Sequence, residues 1–529
     1  MNLNDHLVWS FLYLIVHNLL IGTVMQYLRH SSVYLPLSLL ISCISAAAQA
    51  AGPSPALQDR LAPQDRSVEA YNEVGKQIVR PVEDKDLLST ELPSESKGPN
   101  MTKEESIAYL EANPTEFETL LNNLLSQGNA EALKELLPVY EQVPNYDPSV
   151  IDWGNAIIAA KSGNLDEAVR MYRRINAQLP EIQILRFQLA MALFYNRQFV
   201  AAESEFERLR AETKNEADIK VINNYIDAIN KQSNWDFGGS VSYVDDSNIT
   251  NAPEEGTRLE RPDGSAITYT SPRESGNGLN FSFYGDKKWL NDNKIFTAVH
   301  LNTYGKYYWD NKDYNDITAG VGAGIGYQNA ITEVELVPFY NKRWYAQGRN
   351  GNGDLESYSD TKGARVSLSQ FLLPKLRYQG LISYSTTDYI DRYAFNNGDD
   401  LVFANTAVYF PNGQQFWIAG LDYATKSSDD ESQSFDRQGV RVGWGQTWPK
   451  GYTTRLDLGY AERNYDGQDF FGITRENKEY SAGITAWNRG FSFLGLTPRL
   501  SWNYNKVTSN SPFEEYDKND VSVELTKAF

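Results

Sequence analysis

The sequence predicts an α+β multidomain protein, in which an all-α tetratricopeptide-repeat array precedes a 14-stranded transmembrane antiparallel β-barrel. Three observations support this prediction. Before Ser233, small and aromatic residues recur at a 34-residue spacing, which is typical of paired helical repeats. After Ser233, the hydrophobic period changes from 3.6 to 2, as expected for strands. Aromatic residues also concentrate there, because 23 of the 33 Tyr and nine of the 11 Trp lie from Trp235 onward.

The composition of the 529 residues argues against several classes of function. The net charge of −19 disfavours nucleic acid as a partner, since phosphate binding needs a basic surface. The single cysteine, Cys43, leaves no disulfide framework and no cysteine-based metal site. Only four histidines are present, which weighs against histidine-dependent catalysis. We therefore predict a protein that is not an enzyme and that uses no cofactor and no metal.

Residues 1–50 are interpreted as a leader that contains a signal peptide. A basic pair at 29–30 precedes an apolar run at 33–44, and an A-x-A cleavage motif ends at Ala50. Translation from Met25 and cleavage after Ala50 are therefore expected.

Two alternatives for the leader stay open. The apolar stretch 7–24 is long enough for a helical membrane anchor, and the residues around Cys43 resemble a lipobox that would be acylated. Residues 51–100 are rich in Pro, Ser and acidic side chains and have few large apolar ones. They are predicted to be a disordered linker.

Residues 101–233 are predicted to form the periplasmic tetratricopeptide-repeat domain. The positions Ala156, Ala168 and Tyr172 recur 34 residues later as Ala190, Ala202 and Phe206. In such repeats the small residues let two helices approach closely, and the aromatic residue fills the space between repeats. Tyr172 and Phe206, together with Trp153, are expected in the core between helices. The alternative is an ordinary helical bundle.

Residues 234–529 are predicted to form an outer-membrane β-barrel, because segments of about ten alternating residues are separated by Asn, Asp and Gly turns. Fourteen strands are predicted, at 236–244, 278–289, 295–308, 315–328, 332–345, 358–372, 375–388, 399–410, 414–426, 437–448, 452–464, 479–489, 496–507 and 519–529. Short links are interpreted as periplasmic turns, at 329–331, 411–413 and 449–451. Long polar links are interpreted as outward, solvated loops, at 246–277, 346–357, 427–436 and 465–478. The alternative is a soluble all-β sandwich.

The last strand carries two distinct faces. Val521, Val523 and Leu525 share one face with Phe529, and this face suits lipid. The other face is polar or small and suits a wet lumen. A chain that ends in an aromatic residue after such a strand resembles the signal read by the outer-membrane barrel assembly machinery. Phe529 is therefore predicted to be a barrel assembly signal.

Three features of the predicted barrel bear on whether it carries out chemistry. His300 is predicted to point into the lumen without a catalytic role. The acidic pairs at 245–246 and 399–400 are interpreted as solvated strand ends. The glycines Gly320, Gly322, Gly324 and Gly326 alternate along one strand, which lacks the spacing of a dinucleotide-binding loop. They form either a smooth lumenal track or a surface for close packing of a plug or of neighbouring aromatic side chains.

The junction between the two modules, NWDFGGSVSYVDDSNITNAP at 234–253, resembles the surface lipoprotein assembly modulators (Slam) of Gram-negative bacteria. The residues that carry the resemblance are Trp235, Gly238, Asp246, Ser247, Asn248, Ile249, Asn251, Ala252 and Pro253. The resemblance implies an outer-membrane translocator that delivers lipoproteins, or in some relatives soluble haem-binding proteins, to the cell surface. It implies no catalytic residues.

The resemblance also implies the partners of the chain. They are outer-membrane lipid, a cargo lipoprotein or secreted protein, the barrel assembly machinery and, as further candidates, periplasmic chaperones. Two alternatives stay open, namely an exopolysaccharide export porin and a plain nutrient-uptake porin.

The terminal residue provides the first test. A chain that ends at Ala528 should cross the inner membrane normally but insert poorly into the outer membrane, because it lacks the aromatic side chain of Phe529. Outer-membrane fractions probed for the barrel measure this, with Phe529→Tyr as the aromatic control. Unchanged outer-membrane levels of the shortened chain would contradict the assignment of an assembly signal.

Overall fold

The computed structural model describes residues 109–260, 264–291, 294–348, 351–373, 375–412, 414–488, 490–491 and 497–528. The predicted leader and linker, residues 1–100, and the predicted signal residue Phe529 lie outside these ranges. The described chain has an amino-terminal helical array followed by a closed β-barrel. The predicted fold class is therefore confirmed.

Seven helices with both ends described form the array. They are α1 (Pro114–Gln127), α2 (Ala130–Tyr140), α3 (Pro148–Lys161), α4 (Leu165–Gln178), α5 (Gln183–Tyr195), α6 (Phe199–Glu212) and α7 (Glu216–Ser233). Local sequence accounts for their ends. Asp147 caps α3, because its carboxylate accepts a hydrogen bond from the Ser149 amide at 2.8 Å and Pro148 fills the first turn. Gly128 ends α1 in the left-handed conformation, at φ 64°.

The repeat residues lie where the 34-residue spacing predicts. Ala168 and Ala202 are fully buried, and so are their counterparts at the helix contacts, Ala156 and Ala190. The ring of Phe206 is also fully buried and stacks on Tyr225 at 4.8 Å between ring centroids. Tyr172 and Trp153 are buried as well, so the expectation that these aromatic residues form the core is confirmed.

The barrel contains fourteen antiparallel strands, numbered β1 and β4–β16, and a two-stranded hairpin, β2–β3, lies outside the ring. The bounds are β1 (Trp235–Asp246), β2 (Arg258–Glu260), β3 (Ala266–Thr268), β4 (Gly276–Leu290), β5 (Ile295–Tyr308), β6 (Asp316–Gln328), β7 (Thr332–Tyr345), β8 (Glu356–Leu373), β9 (Leu376–Tyr389), β10 (Gly398–Asn412), β11 (Gln415–Ser428), β12 (Phe435–Thr447), β13 (Tyr452–Gln468), β14 (Thr474–Asn488), β15 (Thr497–Ser509) and β16 (Tyr516–Ala528). Each strand pairs with its neighbour in sequence, and β1 closes the ring on β16. Every predicted strand overlaps one of these fourteen.

The two ends of the barrel differ. β1 starts at the end of the barrel that carries the helical array, with only Asn234 between α7 and β1, and we call this end the array end. The opposite end is called the far end. The links predicted as short turns join strands at the array end, such as 329–331 between β6 and β7. The links predicted as long loops join strands at the far end. Two of them depart from expectation. The link between β1 and β4 is not simply solvated and contains the β2–β3 hairpin with Leu259 buried. The predicted loop 465–478 is mostly strand, because β13 runs to Gln468 and β14 starts at Thr474.

Side chains alternate across the barrel wall. The outward face exposes large apolar residues, as on β16, where Val521, Val523 and Leu525 are 56%, 49% and 42% exposed. An exposed apolar band of this kind suits a lipid environment. No helix within the described part of the chain combines the length and the apolar character needed to cross a bilayer.

The buried alanines of the array provide the second test. Ala168→Leu and Ala202→Leu should each destabilise the array by about 1–3 kcal/mol, because a larger side chain at a packed helix contact forces neighbouring residues apart. Thermal unfolding of the purified full chain, followed by the helical circular dichroism signal, measures this. Ala177→Leu on α4 and Ala211→Leu on α6 are matched controls, since both alanines are exposed. Equal shifts for buried and exposed positions would contradict the assigned packing.

Candidate functional site

The barrel encloses a lumenal cavity of about 880 Å³. Strands β4–β12 supply most of its lining, in which amide, hydroxyl and charged side chains mix with aromatic ones. Asn280 and Asn302 lie on one side and Arg343 and Arg365 on another. Ile249, from the link that follows β1, also contributes. The cavity is therefore lined by polar and apolar side chains together, and Ile249 covers part of it from the far end.

A buried charge network stiffens the wall formed by β11–β14. The Arg437 guanidinium is fully buried and forms ion pairs with the Asp422 carboxylate and, at 3.0 Å, with Glu479. Arg463 also contacts Glu479, at 2.8 Å. Sequence reasoning missed this network. In the strand register Arg437 lies opposite Ala424, two residues from Asp422. Aligning β11 and β12 on the turn between them would therefore have predicted that these two charges meet.

The array meets the barrel through charged contacts at the array end. The Arg197 guanidinium, in the turn between α5 and α6, lies 2.7 Å from the Glu333 carboxylate at the start of β7. Lys288 of β4 contacts the other oxygen of Glu333, at 2.5 Å. One carboxylate therefore joins the array to two strands of the barrel. Sequence reasoning missed these residues too, since they are far apart in the chain.

A second contact joins the two modules. The Asp166 carboxylate of α4 accepts hydrogen bonds from Asn196 at 2.8 Å and from Lys294 in the turn between β4 and β5. Burial raises the pKa of the Asp166 carboxyl, but these two hydrogen bonds and the Lys294 charge outweigh it and lower the pKa below its usual range. Asp166 therefore stays ionised in this contact at neutral pH.

Apolar and backbone contacts reinforce the junction. Leu290 at the end of β4 packs against the core of the array. The Lys287 ammonium donates to the Ser233 carbonyl at the end of α7. The array is thus fixed to the rim of the barrel mouth at several points.

His300 lies in the lumen, as predicted, but it is not an isolated side chain. Its Nδ1 is 2.8 Å from Asp286 and its Nε2 is 2.9 Å from Glu335. Asp286 is also the register partner of His300 across β4 and β5. Both ring nitrogens of His300 therefore contact carboxylates, and the described residues contain no cluster of metal-binding side chains.

The four alternating glycines lie on the inner face of β6, while Val321 and Ile325 between them are exposed on the outside. Neighbouring side chains cover the glycines. A Cβ at Gly326 would lie 2.2 Å from the Phe296 ring, and one at Gly324 would lie 2.5 Å from the Glu335 carboxylate. Gly322 packs in the same way against Val337, and Gly320 against Asn341 and Asn302.

The junction motif forms a compact turn at the far end of β1. The Asp246 carboxylate accepts a hydrogen bond from the Asn248 amide at 2.9 Å. The Asn248 side chain bonds both the amide and the carbonyl of Ala252, each at 2.9 Å, and Asn251 adopts a left-handed conformation at φ 52°. Asn248, Ala252 and Pro253 are buried, whereas Ser247 is exposed.

Two further motif residues, Trp235 and Gly238, lie near the array end of β1. Trp235 is exposed on the outer face and stacks on Phe237 at 5.2 Å between ring centroids. Gly238 is buried, and a Cβ there would lie 2.4 Å from the Tyr284 ring. The motif residues therefore lie in two places. Trp235 makes an aromatic contact at the outer surface, and the residues from Asp246 onward form a turn at the far end.

The interpretation of two acidic residues as solvated is wrong. Asp246 and Asp400 are 4% exposed, in contrast to Asp245, which is open to solvent. The alternation of a strand explains the difference, because adjacent residues face opposite sides of the wall. Asp246 and Asp400 point inward, where the lumenal side chains cover them.

Family profiles built from known proteins match both the array and the barrel. The family profile described as "Surface lipoprotein assembly modifier" matches residues 235–529, and "Surface lipoprotein assembly modifier, N-terminal TPR repeats" matches residues 103–206. The chain is 40% identical over 403 residues to "Surface lipoprotein assembly modifier 1" of Haemophilus influenzae, which covers 76% of this chain and 82% of that protein.

Two further relatives extend the comparison. "Surface lipoprotein assembly modifier" of Pasteurella multocida is 37% identical, over 80% of this chain and 85% of that protein. "Hemophilin secretion modulator" of Acinetobacter baumannii is 23% identical, over 79% of this chain and 87% of that protein.

The buried charge network provides the third test. Glu479→Gln should destabilise the barrel by about 3–5 kcal/mol, because it leaves the buried Arg437 charge without one of its partners. The temperature at which the SDS-resistant folded band unfolds measures this. Asp388→Asn is the matched control, since its pair with Lys362 is 57% and 68% exposed and contributes about 0–1 kcal/mol. Equal unfolding temperatures for the two variants would contradict the role of the network.

Proposed function

The chain belongs to the surface lipoprotein assembly modifier family, and we propose that it moves lipoproteins, or a secreted haem-binding protein, across the outer membrane to the cell surface. Its barrel lies in the outer membrane and its array in the periplasm. In this proposal the array holds the cargo and the barrel passes it. The names of the relatives, which mention surface lipoproteins and hemophilin secretion, support this range of cargo.

The observation that carries the proposal is the attachment of the array to the barrel mouth. Glu333 contacts both Arg197 of the array and Lys288 of the barrel wall, and it also lines the lumenal cavity. A cargo segment bound to the array is therefore held next to the entrance of the lumen. A plain nutrient-uptake porin would gain nothing from such an array.

The size of the lumen bears on the state of the cargo. Side chains from β4–β12 line the cavity inside the barrel, so the space open to a cargo is smaller than the ring of strands itself. An extended segment needs less of this space than a folded domain, whose radius of gyration is about 13 Å for 100 residues. We infer that the cargo crosses incompletely folded.

The proposal also needs a source of energy. The sequence contains no phosphate-binding loop of the GxxxxGK[ST] type, and in the proposal the array end faces the periplasm. Binding of cargo to the array and folding of cargo outside the cell would then drive transport. The proposal assigns the chain no catalytic step and no cofactor.

The fourth test asks whether cargo display depends on the array or on the barrel alone. A chain that starts at Asn234, with the leader restored, should insert but display cargo poorly on the surface. The full-length Ala168→Leu, Ala202→Leu double variant should show the same defect without loss of the barrel. Protease or antibody accessibility of an epitope-tagged surface lipoprotein on intact cells measures display. The double variant Ala177→Leu, Ala211→Leu is the control.

Two outcomes would contradict the proposal. If the barrel alone displays cargo as well as the full chain does, the array is not the receptor and a simple pore explains the data better. If deletion of the chain removes surface polysaccharide and leaves surface proteins unchanged, an exopolysaccharide export porin is the better assignment.

A further inference from the structure

Among the strand pairings that the structure describes, the one between β1 and β16, which we call the seam, is the shortest in the ring. Within the described residues, β1 pairs with β16 only from Gly238 to Val244, a run of seven residues. On its other side β1 pairs with β4 over its whole length, Trp235–Asp246, a run of twelve residues. The seam therefore has fewer backbone hydrogen bonds to separate than the neighbouring pairing.

Side chains close the far end of this seam where the backbone pairing stops. The Lys518 ammonium of β16 lies 2.5 Å from the Asp246 carboxylate of β1, and both side chains are less than 10% exposed. The Tyr308 hydroxyl donates to the same carboxylate oxygen at 3.3 Å. Arg273 adds a weaker pair to Asp517 of β16, at 3.5 Å. We call the Asp246–Lys518 pair the latch.

Asp246 belongs both to the latch and to the junction motif. Asp246 uses Oδ2 for Lys518 and Oδ1 for the Asn248 amide that begins the compact turn. Ile249 of that turn lines the lumenal cavity. A segment that enters the cavity and displaces Ile249 would therefore act directly on the turn that orients Asp246.

Another part of the wall, which begins two strands from β16, is built differently. There the Arg437 network ties β11, β12 and β14 together through buried ion pairs, and Arg463 extends it to β13. The inward side chains of β1 next to the seam are small, as at Gly238, Ser240 and Ser242. The ring thus has a reinforced stretch at β11–β14 and, between β1 and β16, a short seam that one buried pair closes.

A lipid-anchored cargo needs a route out of the barrel for its acyl chains. The far end is partly covered by the link between β1 and β4, in which Leu259 is buried and Tyr269 contacts Phe513 of the loop between β15 and β16. Acyl chains that leave over this polar rim would have to pass through water, which costs free energy for every apolar group exposed. A route through the wall leads directly to the hydrocarbon of the outer leaflet.

We propose that the β1–β16 seam opens laterally when the latch is released, and that the acyl chains of a lipoprotein cargo leave the lumen through it. The proposal rests on the proposed function and adds the exit route to it. It applies to the lipid anchor, so a cargo without an anchor leaves by another path.

The test locks the seam after the barrel has folded. Glu524 faces Ser242 across β16 and β1, and it faces Arg499 across β16 and β15. The double variants Ser242→Cys, Glu524→Cys and Arg499→Cys, Glu524→Cys are matched, because they share one cysteine. The native chain carries only Cys43, upstream of the predicted cleavage site. A short, reducible bis-thiosulfonate reagent is added to intact cells, so assembly is not affected.

The probes are an epitope-tagged surface lipoprotein of the producing bacterium and the same protein with its acylated cysteine removed and a soluble leader attached. Locking the seam should reduce surface display of the anchored probe at least tenfold and leave secretion of the anchor-free probe unchanged. A thiol reductant should restore display. Locking β15 to β16 should affect neither probe.

Three outcomes would overturn the proposal. The first is normal display of the anchored probe with the seam locked. The second is equal inhibition by both crosslinks, which would indicate that the reagent blocks the lumen. The third is equal inhibition of the anchored and anchor-free probes. Failure of the untreated parent chain to display or secrete either probe would instead refute the proposed function itself.

Discussion

Closure of the strand ring is the constraint on which the rest of the structure depends. Lipid offers no hydrogen-bonding groups, so every backbone donor and acceptor within the membrane must be satisfied inside the barrel. The strands therefore have to return on themselves, and β1 must meet β16 although they are far apart in the chain. Closure sets which side chains face lipid and which face the lumen. It also gives the array a fixed mouth to rest on.

Closure also explains where charge is found in this acidic protein. Charged groups that point inward cannot all reach water once the wall curves around them, so they are paired with one another. Arg437 with Asp422 and Glu479, and Asp246 with Lys518, are the clearest examples. Removing one partner from such a pair leaves the other uncompensated, which is why these pairs hold strands in place even though forming them requires desolvation.

Much of the fold was predictable because its signals are local. The alternation of β16 and the turns between strands fix strand positions within a few residues, and the 34-residue spacing fixes the helix contacts at Ala168 and Ala202. The contacts of the candidate site were not predictable in the same way. Arg197 meets Glu333 across the two modules, and Asp246 meets Lys518 only because the ring closes. Such pairs depend on three-dimensional closure, which no local pattern records.

The direct connection between the two modules has a consequence for protein engineering. Only Asn234 separates the last residue of α7 from the first residue of β1. Inserting a single residue there would rotate the helix by about 100° relative to the strand, since an α-helix has 3.6 residues per turn. Alternatively, it would shift the strand by one position and exchange its lipid and lumen faces. Exchange of arrays between relatives by gene fusion therefore requires crossover points inside a helix or a strand, with the spacing from α7 to β1 kept unchanged.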